Sequence, residues 1–333
     1  MKKTILNFAL FYLTLPTFAL AIMVAYGFVF SHADSMAYIS EEISEKEVSP
    51  LIEKALFGQE SIDELILSIP EGTYPIVSKT IRSQDNILNE TSYVLDENEI
   101  ISHLPEYEPT GNFPLVLVVH THGTECYLHN EKSLPFSSDY QAYYNEAETK
   151  TRTQDVTKNV VAVGEVFCKA LENEGIGVIH CTEMFDRDDY NSAYSKSGKA
   201  IEKYLKEYPS IKLVIDLHRD SLVSADKIKI KTSASDISDG CAQVMLVVGS
   251  DAGGSPNPGW KRNLALGLQI KEVMDKSYPS LARPIFFRGA RYNQHLPYSS
   301  FLLEVGSCGN TLEEAKTAAI LSAKCVASVI LSR

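Results

Sequence analysis

From Leu115 to its end the sequence alternates two textures, and this alternation limits the folds open to it more than any other feature. Apolar runs of β-forming residues occur at Leu115–Val119, Ile176–Ile179, Leu213–Leu217, Val244–Val248 and Phe301–Val305. Between and after them come amphipathic stretches at Thr157–Glu174, Ala193–Tyr208, Lys261–Lys276 and Thr311–Leu331. Strands that are apolar on both faces and separated by helices predict an α/β layer fold, with a largely parallel sheet flanked by helices. Asn310-Thr311-Leu312-Glu313-Glu314 supplies a cap and a capping-box glutamate for the last helix. The span from Pro114 to Arg333, 220 residues, is the size of one large domain.

Composition narrows the partners. With 31 basic and 43 acidic residues among 333, the net charge of -12 lacks the basic footprint that draws a protein to nucleic acid, so no nucleic-acid partner is expected. The six cysteines have no C-x-x-C spacing, which excludes a zinc ribbon, a thioredoxin motif and a dense disulfide framework.

Ahead of the alternating region, Lys2 and Lys3 precede Ile5–Phe30, 26 residues without a charged side chain. That exceeds both the roughly 20 residues needed to cross a bilayer and the roughly 7–15 of a signal-peptide core. A single-pass membrane anchor over residues 1–30 is expected, with its lysine-bearing end cytoplasmic and the remainder extracytoplasmic. A cleaved signal peptide flanked by Ala19 and Ala21 is the alternative. Residues 31–113 then read as a spacer: acidic and proline-marked stretches surround Ile52–Ile69, where apolar residues recur at helical spacing.

Ligands of open α/β sheets gather beyond the carboxyl ends of the strands. Three apolar runs end in metal-competent or acid–base groups: His120-Thr121-His122-Gly123-Thr124-Glu125, Asp216-Leu217-His218-Arg219-Asp220, and Glu304-Val305-Gly306. The His122-x-x-Glu125 spacing brings an imidazole and a carboxylate close enough to share a cation. His218 would complete a His/Glu/His set that leaves one coordination position open, the catalytic zinc arrangement. His120 is the rival first histidine, and Asp155, at the start of the Thr157–Glu174 stretch, is the rival acidic ligand. Glu304, a charge inside an otherwise apolar run, is the candidate general acid–base residue. Arg219 is the candidate that polarises a carbonyl, with ordinary ion pairing as its other reading. Asp216, two residues before His218 on the same strand face, is placed to orient an imidazole.

These two histidine-bearing blocks resemble signature blocks of the stage II sporulation protein P family. Val247-Val248-Gly249 with Trp260-Lys261-Arg262-Asn263, then Tyr292-Asn293-Gln294, then Leu303-Glu304-Val305-Gly306 with Asn310–Glu314 are similar to its later blocks, in order. The resemblance implies a membrane-anchored, zinc-dependent peptidoglycan hydrolase. The implied activity is that of an N-acetylmuramoyl-L-alanine amidase with endopeptidase activity, acting in engulfment alongside partners of the sporulation cell-wall machinery. It also implies a fold like those of the zinc amidases and, more distantly, the zinc carboxypeptidases. Residue by residue it touches His120, His122, Glu125, His218 and Glu304. Cys126 stands where the family pattern leads one to expect serine. A zinc peptidase acting on stem peptides and a non-catalytic cell-wall binding protein are the alternatives.

Overall fold

The computed structural model describes residues 73–108, 113–128, 141–145, 151–223, 229–237 and 240–332. The expected anchor over 1–30 and the helical spacing of Ile52–Ile69 lie outside these residues. Among the described residues no helix is long and apolar enough to cross a membrane.

The strands are β1 (Thr73–Lys79), β2 (Ile87–Asn89), β3 (Val116–Val119), β4 (Gln141–Asn145), β5 (Val178–His180), β6 (Leu213–Asp220), β7 (Lys229–Thr232), β8 (Val244–Gly249), β9 (Ile285–Arg288) and β10 (Ser299–Ser307). The helices are α1 (Glu97–Ile101), α2 (Val160–Asn173), α3 (Ala193–Glu207), α4 (Trp260–Ser277) and α5 (Leu312–Leu331). Seven strands form one sheet in the order β2-β9-β8-β10-β6-β3-β5, and a second, three-stranded sheet has the order β4-β1-β7. Five of the six pairings in the large sheet are parallel. The exception is β10 against β8, which is antiparallel, so the large sheet consists of two parallel blocks running in opposite directions.

Alternation along the strands divides the core. Val116, Val118, Leu213, Ile215, Leu217, Leu303 and Val305 join the main cluster with residues of α2, α4 and α5. Leu117, Val119 and Val214 face the other way and meet Ala193 and Ile201 of α3. Fully burying a side chain of this size contributes about 1.5–3 kcal/mol, so these two clusters hold the layers together. The cap expected for the last helix is present: Thr311 Oγ1 accepts from the Glu314 amide at 3.3 Å, and Glu314 Oε2 accepts from the Thr311 amide at 3.0 Å. The helix expected over Thr157–Glu174 begins at Val160, where Asn159 is the cap, its side chain accepting from the Val161 amide at 3.0 Å.

The stretch read as a spacer behaves differently from Thr73 onward. β2 pairs with β9 as the outermost strand of the large sheet, α1 buries Ile100 in the main cluster, and Tyr93 stacks on Trp260 with ring centroids 5.0 Å apart. A three-residue strand and a five-residue helix are too short to leave a readable period, which is why this contribution is invisible in the sequence. All six cysteines are buried.

Candidate active site

Three strands of one parallel block deliver the candidate residues to one sheet edge. β3 ends at Val119 and runs directly into the turn that carries His120, His122 and Glu125. On β6, Asp216 and His218 are two residues apart and share a face. On β10, Glu304 lies in register with His218 across a parallel pairing, so both project from the same side. Just past Glu304 the register shifts, and Gly306 takes φ 69°, a left-handed conformation that suits glycine at a bulge.

Glu125 is 7 % exposed. Its Oε2 accepts from the Arg219 amide at 3.1 Å and lies 3.4 Å from His218 Nδ1. The other nitrogen of His218, Nε2, sits 3.0 Å from Asp216 Oδ1; the N–H does not point well enough to count as a hydrogen bond, so this contact is chiefly one of charge. Asp216 also accepts from the Thr121 amide at 2.9 Å and from Thr121 Oγ1 at 2.6 Å, tying β6 to the turn after β3. His122 is buried at 5 % exposure, and its ring lies edge-on to His218 with centroids 5.4 Å apart.

Burial works against every charge in this cluster, and the partners decide the outcome. Burial would raise the carboxyl of Glu125, but the His218 hydrogen bond and charge, with Arg219 and Arg152, hold it well below the usual range. Asp216 is likewise held low against burial by His218 and Thr121. Burial would depress His218, yet the Asp216 and Glu125 carboxylates push it well above the ordinary imidazole value. Glu304 goes the other way: burial, reinforced by the charge of Asp220, pushes its carboxyl well above the usual range. Its Oε2 is buried and has no hydrogen-bond partner.

The two histidines that the sequence left as rivals differ in their bonding. His120 has both ring nitrogens engaged, Nδ1 with the Leu217 carbonyl at 2.9 Å and Nε2 with His180 Nε2 at 2.8 Å. Burial, with His180 beside it, lowers its pKa to about 3. Gly164 of α2 makes room for that ring, since a Cβ there would lie 2.5 Å from it. His122, by contrast, has no hydrogen bond at either nitrogen.

Two expectations need correction. Asp155 does not join the cluster; its carboxylate lies 2.7 Å from Lys158 Nζ and accepts from Thr157, with 40 % of the side chain exposed, because it serves its own turn ahead of α2. Arg219 is 2 % exposed, and its guanidinium donates to the carbonyls of Cys126 at 2.9 Å, Asp220 at 3.2 Å and Thr151 at 2.7 Å. Those bonds use it to hold three backbone segments together, not to meet a substrate carbonyl.

Asp186 was not legible in the sequence. Its Oδ2 lies 3.8 Å from His122 Nδ1 and 2.8 Å from Arg152 Nη1, and its Oδ1 accepts from the Thr124 amide at 3.1 Å. It comes from the loop between β5 and α3, where Asp186-Arg187-Asp188-Asp189 reads as an ordinary solvated charge run. Tyr190 of the same loop stacks on His122 with centroids 4.3 Å apart.

Among the described residues, no three His, Cys, Asp or Glu side chains converge tightly enough, as they stand, to form a ready metal-binding group. The donor set of two imidazoles and a carboxylate nevertheless suits zinc. The buried, unbonded nitrogens of His122 are atoms that a cation would satisfy.

The sequence profile of stage II sporulation protein P (SpoIIP) matches residues 43–330. The chain belongs to this family. It is 29 % identical over 226 residues to stage II sporulation protein P of Bacillus subtilis (strain 168), covering 65 % of this chain and 51 % of the relative. The chain thus spans about half the length of the curated relative it matches. Among solved structures, the N-acetylmuramoyl-L-alanine amidase AmiC2 of Nostoc punctiforme is 11 % identical with a TM-score of 0.35, over 66 % of this chain and 96 % of that one. The CwlD amidase from Clostridioides difficile, solved in complex with the GerS lipoprotein, is 13 % identical with a TM-score of 0.36, over 66 % and 97 %.

Proposed function

We propose that this chain is a zinc-dependent peptidoglycan hydrolase acting in sporulation: an N-acetylmuramoyl-L-alanine amidase with endopeptidase activity that works during engulfment beside other cell-wall proteins. His122, Glu125 and His218 would hold the metal, and Glu304 would carry the proton. The uncharged run of residues 5–30 would hold the catalytic domain outside a cell membrane. Family membership supports the substrate class. The observation that carries the catalytic reading is Glu304, a carboxyl with a buried, unbonded oxygen in register with His218.

Zinc in such a site acts as a Lewis acid on the scissile carbonyl. Glu304 takes a proton from the attacking water as its oxygen bonds to the carbonyl carbon. The same carboxyl then gives that proton to the amide nitrogen as the C–N bond breaks, leaving a carboxylate and an amine. Its raised proton affinity suits the second half of that task. Asp216 and Asp186 lie beside the two histidines and would keep their rings from turning.

Glu304→Gln tests the reading. The amide keeps the shape and should leave zinc content and melting temperature near wild type, while hydrolysis of purified peptidoglycan falls about 10²–10⁴-fold. Near-normal hydrolysis would refute the catalytic role, and loss of zinc would make Glu304 a ligand. Products of the wild-type reaction separate the activities: free stem peptides mark the amidase, and cut cross-links mark a peptidase.

A further inference from the structure

The wall beside Glu304 contains a cavity. Met245 stands opposite Glu304 across the antiparallel pairing of β10 with β8, so the two side chains leave the sheet on one side. Against Met245 lies a space of about 60 Å³, several times the roughly 10–15 Å³ that a single water needs. Ile81, Ile87, Leu88, Met245 and Pro284 give it apolar walls, and Arg283 brings a charge to them. Part of this lining belongs to the segment between β1 and β2. Gln243 holds that segment in place, accepting from the Ile81 amide at 2.6 Å and donating to the Ile81 carbonyl at 3.0 Å. Arg82 and Asp85, also on the lining, are exposed and mark the side on which the cavity opens.

Arg283 is 2 % exposed, and its donors are poorly matched. Its Nη1 lies 2.7 Å from Asp220 Oδ2, yet the geometry gives neither atom a hydrogen bond. Its Nη2 donates to the Met245 thioether at 3.1 Å, a weak acceptor. Buried polar groups in this condition are uncommon and call for a better partner. Asp220 is in register with Ser307, three residues past Glu304 on β10, so the guanidinium bridges from the cavity to the end of the strand that carries Glu304.

We propose that this cavity is a specificity subsite for the peptide half of the substrate, in which the apolar walls take an aliphatic side chain and Arg283 takes the carboxylate at its end. This rests on the proposed function and adds the part of the substrate that is recognised. In an amide between a sugar-borne carboxyl and a peptide amine, the sugar's acid is consumed in the bond, so free carboxylates belong to the peptide side. A guanidinium presents a fork of N–H donors that matches the two oxygens of a carboxylate, and Lys does not. A carboxylate in the cavity would replace a thioether as the acceptor for Nη2, while Asp220 stays beside Nη1. At the open side Arg82, bonded to Ser235 Oγ at 3.0 Å, adds positive charge to the entry; Asp85 opposes it from an exposed position, where solvent screens it.

The test uses the full chain loaded with zinc and two soluble muramoyl peptides. One has an acidic residue next to the amide-linked alanine, and the other carries that carboxyl as its carboxamide. Wild-type kcat/KM should be about 10–100-fold higher for the acid, with the difference in KM. Arg283→Lys keeps a positive charge beside Asp220 but loses the fork, and should remove most of this preference by raising KM for the acid. Arg82→Gln should reduce the preference by about two- to five-fold. Equal kcat/KM for the two substrates in the wild-type protein overturns the inference alone. Equal losses on both substrates in Arg283→Lys also overturn it, because Arg283 would then serve only the fold. Should Arg283→Lys fail to fold, an undiminished preference in Arg82→Gln overturns the assignment. A zinc-loaded wild-type chain that cleaves neither substrate overturns the proposed function and this inference together.

Discussion

The two halves of the seven-stranded sheet are built alike and used differently. In the half formed by β10, β6, β3 and β5 the strands run one way, and their carboxyl ends carry His120, His122, Asp216, His218 and Glu304. In the half formed by β8, β9 and β2 they run the other way, so the carboxyl ends of those strands lie at the opposite sheet edge. Among the described residues, this second half meets the site with the beginnings of its strands. Met245 sits in register with Glu304, and Arg283, just ahead of β9, reaches Asp220 with its Nη1 2.7 Å from Oδ2. Strand direction divides the sheet: one half carries the candidate site residues, and the other supplies a wall.

Removing part of the wall is expected to have the largest effect. A chain beginning at Pro114 lacks β2, α1 and the Tyr93 ring, and thereby exposes the edge of β9 and uncovers Trp260. Losing Ile100 alone forgoes about 1.5–3 kcal/mol of burial, and the Tyr93–Trp260 stack adds about 0.5–1.5 kcal/mol. An unpaired edge strand also invites aggregation. The truncated chain is expected to aggregate or to melt without cooperativity, as followed by calorimetry and light scattering. A cooperative transition at the temperature of the full chain would mean that the second half needs no support from residues before Pro114.

Next in size is a change in the reactive half. His218→Ala removes the cationic centre between two buried carboxylates, and breaking a buried charge pair by deleting one partner costs about 3–5 kcal/mol. Zinc binding and hydrolysis should both disappear, since a three-ligand site cannot lose one ligand and keep its ion. Stoichiometric zinc in that variant, measured by elemental analysis, would remove His218 from the ligand set. The corresponding change in the other half, Met245→Leu, conserves volume and touches no ligand, so it should leave zinc content as it is and cost less than about 1.5 kcal/mol.

The same contrast explains what the sequence could reveal. Strand ends in the reactive half were legible because an apolar β-run that stops at His, Asp or Glu carries its own signal, as at Val119-His120 and Leu217-His218. The direction of β8 was not legible: six consecutive buried residues give an apolar run that looks the same whether the strand lies parallel or antiparallel to its neighbour. β2 was missed because three residues show no period, and β7 because Lys229 and Lys231 flank Ile230 in a strand of only four residues. Asp186 was missed because its role comes from a loop folding over His122, a tertiary contact with no local pattern. The assignment of a carbonyl-polarising task to Arg219 failed for a related reason: a sequence shows where a guanidinium is attached, and not that three backbone carbonyls use its donors.

The smallest expected effect belongs to Asp155, whose case turns on the difference between nearness in sequence and nearness in the fold. It lies four residues before the cap of α2, a position from which an acidic side chain was expected to reach the site. Its carboxylate instead accepts from the amide and hydroxyl of Thr157 and pairs with Lys158, and those partners, led by the Lys158 hydrogen bond, hold its pKa below the ordinary value. Both members of the ion pair are largely open to water, where such pairs contribute little. Asp155→Asn keeps an acceptor for Thr157 and removes the charge. Zinc stoichiometry and hydrolysis should match wild type, with no resolvable change in melting temperature at neutral pH. If the group mattered through its charge, its lowered pKa would make the benefit present above the unfolded carboxyl value and lost as the pH falls through the folded one. Because the pair is open to water that benefit is small, so the wild-type and variant melting curves should nearly coincide at pH 7, and any residual gap should close as the pH falls through the folded value. Loss of zinc in Asp155→Asn would place this carboxylate among the ligands, and a full complement of zinc leaves Glu125 as the acidic ligand of the proposed set.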